Sequence, residues 1–187
     1  MLEILTGVLQ GLTEFLPISS SGHLVIISSL SSELDLNTND IAFLHIGTLF
    51  SIVFFYRKRI FEIFEDLDTF VFYFKIILAG IIPAVLIGLL TPIQNIIDES
   101  PNLILITGAS YLIFSLLLIF SGKINNSEAL NIRDITVSQA FVIGIAQSIA
   151  LLPGVSRSGV TLLTAIYLGV KKADAIYYSL LLGIPTI

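Results

Sequence analysis

Two polar clusters interrupt an otherwise apolar chain, and their residue types suit phosphate chemistry. The first reads Gln10-Gly11-Leu12-Thr13-Glu14-Phe15-Leu16-Pro17-Ile18-Ser19-Ser20-Ser21-Gly22-His23. The second reads Pro153-Gly154-Val155-Ser156-Arg157-Ser158-Gly159-Val160-Thr161. Gln10 and Glu14 are four apart and share one helix face. A carboxylate inside a membrane segment is costly unless a cation, a proton or water accompanies it. Pro17 ends the helix, and the serines after it can cap the next one. A capped helix N-terminus offers free N–H groups and hydroxyls to an anion. Arg157 stays charged when buried and grips a carboxylate or a phosphate bidentately.

Each feature also has a plain structural explanation. Glu14 could sit at a wet helix end, and the serines could do no more than cap. His23, three residues after Ser20, could be structural, and Arg157 could pair with Glu14 as an ion pair of the fold. Taken together the two clusters suit a polyanionic headgroup better. Arg157 and the helix N-termini, with Ser19, Ser21, Ser156, Ser158 and Thr161 nearby, would hold phosphate oxygens. Glu14 with Gln10 could hold a divalent cation, because hard cations prefer oxygen ligands. Ser20 could attack phosphorus with His23 as base. No soluble nucleotide-binding motif is present, so a lipid with a phosphate or diphosphate headgroup is the simplest substrate.

The elements that position these clusters must be membrane helices. Charged residues make up 12% of the 187 positions and hydrophobic ones 55%, with a mean hydropathy of +0.97. Soluble domains carry about 25% charged residues, so lipid must solvate much of this surface. The net charge of −5 is modest and no basic face points to nucleic acid. Cysteine is absent, which excludes disulfides and thiolate metal sites. No Lys or Arg precedes the first apolar stretch, which argues against a cleaved signal peptide.

Apolar spans are expected over 41–56, 70–90 and 103–120, with a fourth starting near Ala173. The stretches 2–30 and 137–168 differ, because Pro17 breaks one and Pro153-Gly154 the other. A half of about 14 residues reaches about 21 Å, short of the roughly 30 Å hydrocarbon core, so each stretch is expected to be a re-entrant hairpin. Placing Arg57, Lys58 and Arg59 inside leaves the segment 91–102, which has no positive charge, outside and returns Lys123, Arg133, Lys171 and Lys172 to the inside.

The clusters also repeat. Gly7, Gln10, Ser19, Ser21 and Gly22 recur as Gly144, Gln147, Ser156, Ser158 and Gly159 at a constant offset of 137. With opposite entry sides, this predicts an inverted-topology repeat with its binding site at the repeat interface. The expected fold is therefore all-α: one polytopic membrane domain over 1–187, repeat one covering 1–121 and repeat two 136–187. The second copy stops just after Gly183, so the repeat predicts about 70 further residues beyond Ile187.

The two clusters resemble the undecaprenyl-diphosphatase family of the bacitracin-resistance type, and the intervening spans with Gly47, Pro83 and Gly88 fit the same pattern. The resemblance implies removal of the terminal phosphate from undecaprenyl diphosphate, which recycles a lipid carrier of cell-wall synthesis and confers bacitracin resistance. It implies Mg2+ or Ca2+ as cofactor, linked to Gln10 and Glu14. Ser20 and His23 match the nucleophile and acid/base pair, with a variant in which His23 attacks and Ser20 positions. Arg157 matches a phosphate-binding arginine. Inverted repeats, re-entrant hairpins, a site facing outside the cytoplasmic membrane and two further C-terminal spans are also implied. The partners would be the polyprenyl diphosphate and membrane lipids, with a homodimer left open. A transporter or flippase using the same phosphate site is the rival reading, and a purely structural membrane protein a third. Phosphate release separates the first from the others.

Overall fold

The computed structural model describes residues 2–30, 38–121 and 130–186, and side chains from residue 4 in the first segment and residue 43 in the second. Ten α-helices form among these residues: α1 (Leu2–Thr13), α2 (Ser20–Leu30), α3 (Thr38–Phe55), α4 (Arg57–Phe64), α5 (Leu67–Leu90), α6 (Ile93–Asp98), α7 (Leu103–Ser121), α8 (Val137–Ser148), α9 (Arg157–Tyr167) and α10 (Lys172–Thr186). No strand forms among the described residues, only an isolated bridge between Leu130 and Val170. The expected all-α class is the observed one.

Among the described residues two helices are long and apolar enough to cross a bilayer. They are α5 with 24 residues and α7 with 19, about 36 Å and 28 Å at the helical rise. Their apolar windows are only 28% and 17% buried within the protein. Leu89, Leu90, Leu105, Leu112 and Phe120 are exposed. A soluble core helix would bury such a surface, so lipid is the solvent these faces need, and the chain is a membrane protein.

The breaks fall where the prolines and glycines stand. The first stretch ends α1 at Thr13 and restarts α2 at Ser20, and the second ends α8 at Ser148 and restarts α9 at Arg157. The four pieces have 12, 11, 12 and 11 residues, each near 17 Å and too short to span. Both restarts use the same cap. Gly22 N–H donates to Ser19 Oγ at 3.3 Å and Gly159 N–H to Ser156 Oγ at 3.1 Å, which satisfies a donor the first turn otherwise leaves orphaned. The first turn is the tighter, since Ser19 adopts φ 57°. In the second, Gly154 takes the left-handed conformation at φ 92° and lies against Thr107 O.

Two helices lie outside the sequence expectation. Positive charge concentrated at Arg57–Arg59 makes α4 amphipathic. Arg57 lies over the Phe54 ring at 4.7 Å and Arg59 over the Tyr177 ring at 5.0 Å, contacts that tether a basic turn to the bundle. The short α6 occupies the segment read as a loop. The entry to α5 is capped by Asp66, whose carboxylate accepts from the N–H groups of Asp68 and Thr69 and from the Thr69 hydroxyl. These bonds hold the Asp66 carboxyl below its ordinary range, the Thr69 side chain contributing most.

The core sits among α5, α8, α9 and α10. The most extensive helix contact joins α5 and α8. Gly144 makes it possible: a Cβ there would stand 2.5 Å from Gly80 O, so the two backbones touch. Tyr178, fully buried on α10, donates to Ile76 O at 2.7 Å. That bond closes α10 over the same face of α5.

Candidate active site

The turn after α1 and the start of α9 meet at Glu14. Glu14 is 9% exposed and its two carboxylate oxygens face different partners. Oε1 accepts from Arg157 Nη2 in a direct ion pair. Oε2 accepts from Ser20 Oγ at 2.5 Å and from Gln10 Nε2 at 2.9 Å. The i,i+4 spacing explains the Gln10 contact, and the restart of α2 at Ser20 explains the hydroxyl. The arginine arrives from 143 residues away. Arg157 Nη1 also donates to Thr186 Oγ1 at 2.6 Å, which ties the guanidinium to α10.

These groups open onto a cavity of about 560 Å³ lined by Glu14, Ser19, Ser20, Ser21, Ser156, Arg157 and Ser158, with His45, Gln147 and Thr186. Seven of the ten residues read as site candidates from sequence thus line one space. The hydroxyls are organised in pairs: Ser19 Oγ lies 3.3 Å from Ser21 Oγ and Ser156 Oγ 3.1 Å from Ser158 Oγ. Ser158 Oγ also reaches Glu14 O and Leu16 O at 3.3 Å, so the second cluster clasps the first turn directly.

Three candidates lie elsewhere. Gln10 is 1% exposed and supports Glu14 from behind the cavity wall. Thr161 packs inward, its Oγ1 2.6 Å from Ser179 Oγ and bonded to Arg157 O at 3.0 Å. It braces the first turn of α9 and does not reach the cavity. His23 is the larger departure. Ser20 was expected to pair with His23, yet the Ser20 hydroxyl is held by Glu14. His23 Nδ1 instead lies 2.7 Å from both Ser19 O and Tyr111 Oη. The physical reason is a competing acceptor. The left-handed Ser19 turns its carbonyl toward the ring, and Tyr111 Oη, which itself donates to Ser19 O at 2.8 Å, closes the group from α7. A lone pair on Nδ1 would face a carbonyl oxygen and repel it, so Nδ1 carries the proton and Nε2 is the basic nitrogen.

The histidine that does reach the cavity is His45 on α3. Its Nε2 lies 3.2 Å from Gln10 Nε2 and 3.7 Å from Glu14 Oε2. His45, Thr186, Tyr111 and Gln147 were not read as site residues. Gln147 alone carried a signal, as the repeat partner of Gln10.

The donor set bears on a divalent cation. Among the described residues no group of three His, Cys, Asp or Glu gathers. Gln10 Oε1 is buried without a hydrogen-bond partner, one bond removed from the amide that contacts Glu14. The Glu14 carboxylate suits a cation held chiefly by phosphate oxygens, whereas Gln10 turns its N–H edge to Glu14 and would have to reverse its amide to add an oxygen ligand. They do not make a cage by themselves.

The chain matches known proteins along nearly its whole length. The family model described as bacitracin resistance protein BacA matches residues 3–187. A protein named undecaprenyl-diphosphatase from Methanococcus maripaludis is 36% identical over 192 residues, covering 99% of this chain and 74% of that one. One of the same name from Thermosipho africanus is 39% identical, covering 100% and 75%. Another from Methanococcus vannielii is 38% identical, covering 100% and 75%. The chain thus spans about three quarters of the length of these relatives. A match along nearly the whole chain, both polar clusters included, shows that the chain belongs to the bacitracin-resistance BacA family.

Proposed function

We propose that this protein hydrolyses undecaprenyl diphosphate to undecaprenyl phosphate and inorganic phosphate. The observation that carries the reading is the double engagement of Glu14, with Ser20 Oγ on one carboxylate oxygen and Arg157 on the other. A nucleophile, its proton acceptor and a phosphate-gripping cation then share one cavity. Relatives that bear the name undecaprenyl-diphosphatase support the substrate class.

In this mechanism Arg157 binds oxygens of the terminal phosphate, joined by the N–H groups at the start of α9. Ser20 Oγ attacks the terminal phosphorus and its proton passes to Glu14. The bond from that phosphorus to the bridging oxygen breaks, and undecaprenyl phosphate leaves with the electron pair. Glu14 hands that proton to the departing phosphate oxygen. Water then adds to phosphorus, Glu14 takes one of its protons, and that proton returns to Ser20 Oγ as the Ser20 Oγ–P bond breaks to release phosphate. Glu14, with Gln10 beside it, would hold a Mg2+ or Ca2+ ion, which would neutralise charge on the diphosphate. His23, with Nε2 as its basic nitrogen, is the second acid/base candidate, and its anchoring on Ser19 O ties it to the turn that carries Ser20.

The topology belongs to the same proposal. The short helix pairs α1–α2 and α8–α9 form re-entrant hairpins of an inverted repeat, 1–121 and 136–187, in the cytoplasmic membrane. The cavity opens toward the outside, opposite the basic turn at Arg57–Arg59.

The test is phosphate release from a C55 isoprenyl diphosphate in detergent with magnesium or calcium. Release by the wild type and its loss in Ser20→Ala and Arg157→Ala is the expected result. A folded protein that binds the lipid and releases no phosphate overturns the reading.

A further inference from the structure

Gln147 is 3% exposed, and its side-chain carbonyl oxygen Oε1 is buried without a hydrogen-bond partner. It nevertheless lines the same cavity as Glu14, Ser20 and Arg157. Burying an acceptor away from water is destabilising unless a donor meets it, and most buried side-chain polar atoms in native proteins are met. Gln147 thus lines the cavity while its carbonyl edge lies buried and unmet, so either edge of the amide is free to turn to what enters.

Comparison with the other half of the chain sharpens this. Gln10 occupies the equivalent place in the first broken stretch; its Oε1 is likewise without a partner, but its Nε2 has work inside the protein and donates to Glu14 Oε2 one turn later. The position one turn after Gln147 is Leu151, which offers nothing to bond. The end of α8 is also held firmly. Gly144, one turn before Gln147, presses against Gly80 O of α5. The amide cannot escape to solvent by a small movement of its helix.

We infer that Gln147 is a direct contact for the phosphate end of the substrate. An amide suits that place because it is neutral and two-sided. Its N–H edge donates to a phosphate oxygen without adding charge beside Arg157, and its carbonyl edge accepts from water or a phosphate hydroxyl. A half-turn about the terminal bond exchanges the edges, so the same side chain can serve the diphosphate and the water that hydrolysis consumes. The inference rests on the phosphatase reading for the identity of the ligand, and on burial and the missing partner for the contact itself.

The experiment measures two quantities in detergent for the wild type, Gln147→Met and Gln147→Glu. The first is thermal stability with and without added inorganic diphosphate, and the second is phosphate release from the C55 lipid. Gln147→Met keeps the side chain's length and removes both hydrogen-bonding edges. It is expected to melt at or above the wild-type temperature without ligand, since an unmet buried amide is gone. It should also bind diphosphate about tenfold more weakly, the effect of losing roughly one hydrogen bond to a charged group. Gln147→Glu should bind weaker still, by repulsion. Unchanged diphosphate affinity in Gln147→Met overturns the inference, as does a large drop in its unliganded melting temperature, which would make Gln147 structural. A wild type that is not stabilised by diphosphate overturns it too. If the wild type binds diphosphate through Gln147 but releases no phosphate from the lipid, the contact stands and the phosphatase reading fails.

Discussion

Glu14 and Arg157, 143 residues apart, form a direct ion pair between the turn after α1 and the first residue of α9. That pair joins the two broken stretches at the cavity, and Ser20 Oγ hangs from the same carboxylate. Removing one partner of a buried pair leaves the other charge uncompensated.

Arg157→Ala is therefore expected to abolish phosphate release and to lower stability, and Arg157→Lys to recover stability but less than about a tenth of the activity. Lysine restores charge but not the two-pronged grip on carboxylate and phosphate, and a lost charge-assisted hydrogen bond is worth about 1.5–3 kcal/mol. Melting temperature and kcat/KM measured on the same preparations separate the two effects.

Ser20→Ala should leave no phosphate release, with at most about 1 kcal/mol of lost stability for one hydroxyl hydrogen bond. His23→Gln should reduce the rate less, because His23 bonds to Ser19 O and Tyr111 and not to Ser20. Trapping with labelled lipid in neutral denaturant and mass spectrometry of the peptide bearing Ser20 and His23 reads the outcome. A phosphoryl group found on His23 instead would reverse the two roles.

Tyr111→Phe removes the hydroxyl that closes the Ser19 turn while keeping the ring that packs edge-on against His23. Ser19 holds φ 57°, a conformation that non-glycine residues adopt only when surroundings impose it. The expected cost is about 1 kcal/mol in stability, together with a fall in kcat larger than the change in KM, since the turn carries Ser20. Steady-state kinetics beside a melting curve checks it.

Gly144→Ala and Gly80→Ala should differ although both glycines lie at the α5–α8 contact. A Cβ at 144 meets Gly80 O at 2.5 Å, and backbone cannot move without shifting a helix. A Cβ at 80 meets Leu182 Cδ2 at 2.7 Å and Tyr178 Oη at 2.8 Å, which are side-chain atoms. Gly144→Ala is expected to cost about 1–3 kcal/mol, the usual range for overpacking, and Gly80→Ala less. Paired thermal melts in one detergent decide the order.

Chelation should lower phosphate release at saturating lipid, and Mg2+ or Ca2+ should restore it. Gln10→Glu adds a second carboxylate beside Glu14 and should raise the apparent affinity for the cation. A metal titration of activity, run on both proteins, shows the shift.

Much of this was legible before any tertiary structure. The helical class, the long apolar α5 and α7, the breaks at Pro17 and Pro153-Gly154, and the paired serine-glycine caps all follow from local rules. Composition decides the solvent, proline removes a helix donor, and a serine three residues before a glycine caps a turn. The special status of Glu14 and Arg157 was also legible, because ionisable groups among apolar residues are too costly to be incidental.

The partners of these groups were not. His45 comes from α3, Tyr111 from α7 and Thr186 from α10, and no spacing rule links a residue to one 88 or 29 positions away. His23 shows the limit most clearly. Its three-residue distance from Ser20 is compatible with pairing, but the ring turns to the carbonyl that a left-handed Ser19 exposes, and a local pattern does not encode the tyrosine that holds it there. Residue type and surroundings along the chain mark the groups that cannot stand in the membrane alone. Only the tertiary structure decided which of them meet, because that depends on helix contacts such as Gly144 on Gly80, where two backbones approach as closely as their atoms allow.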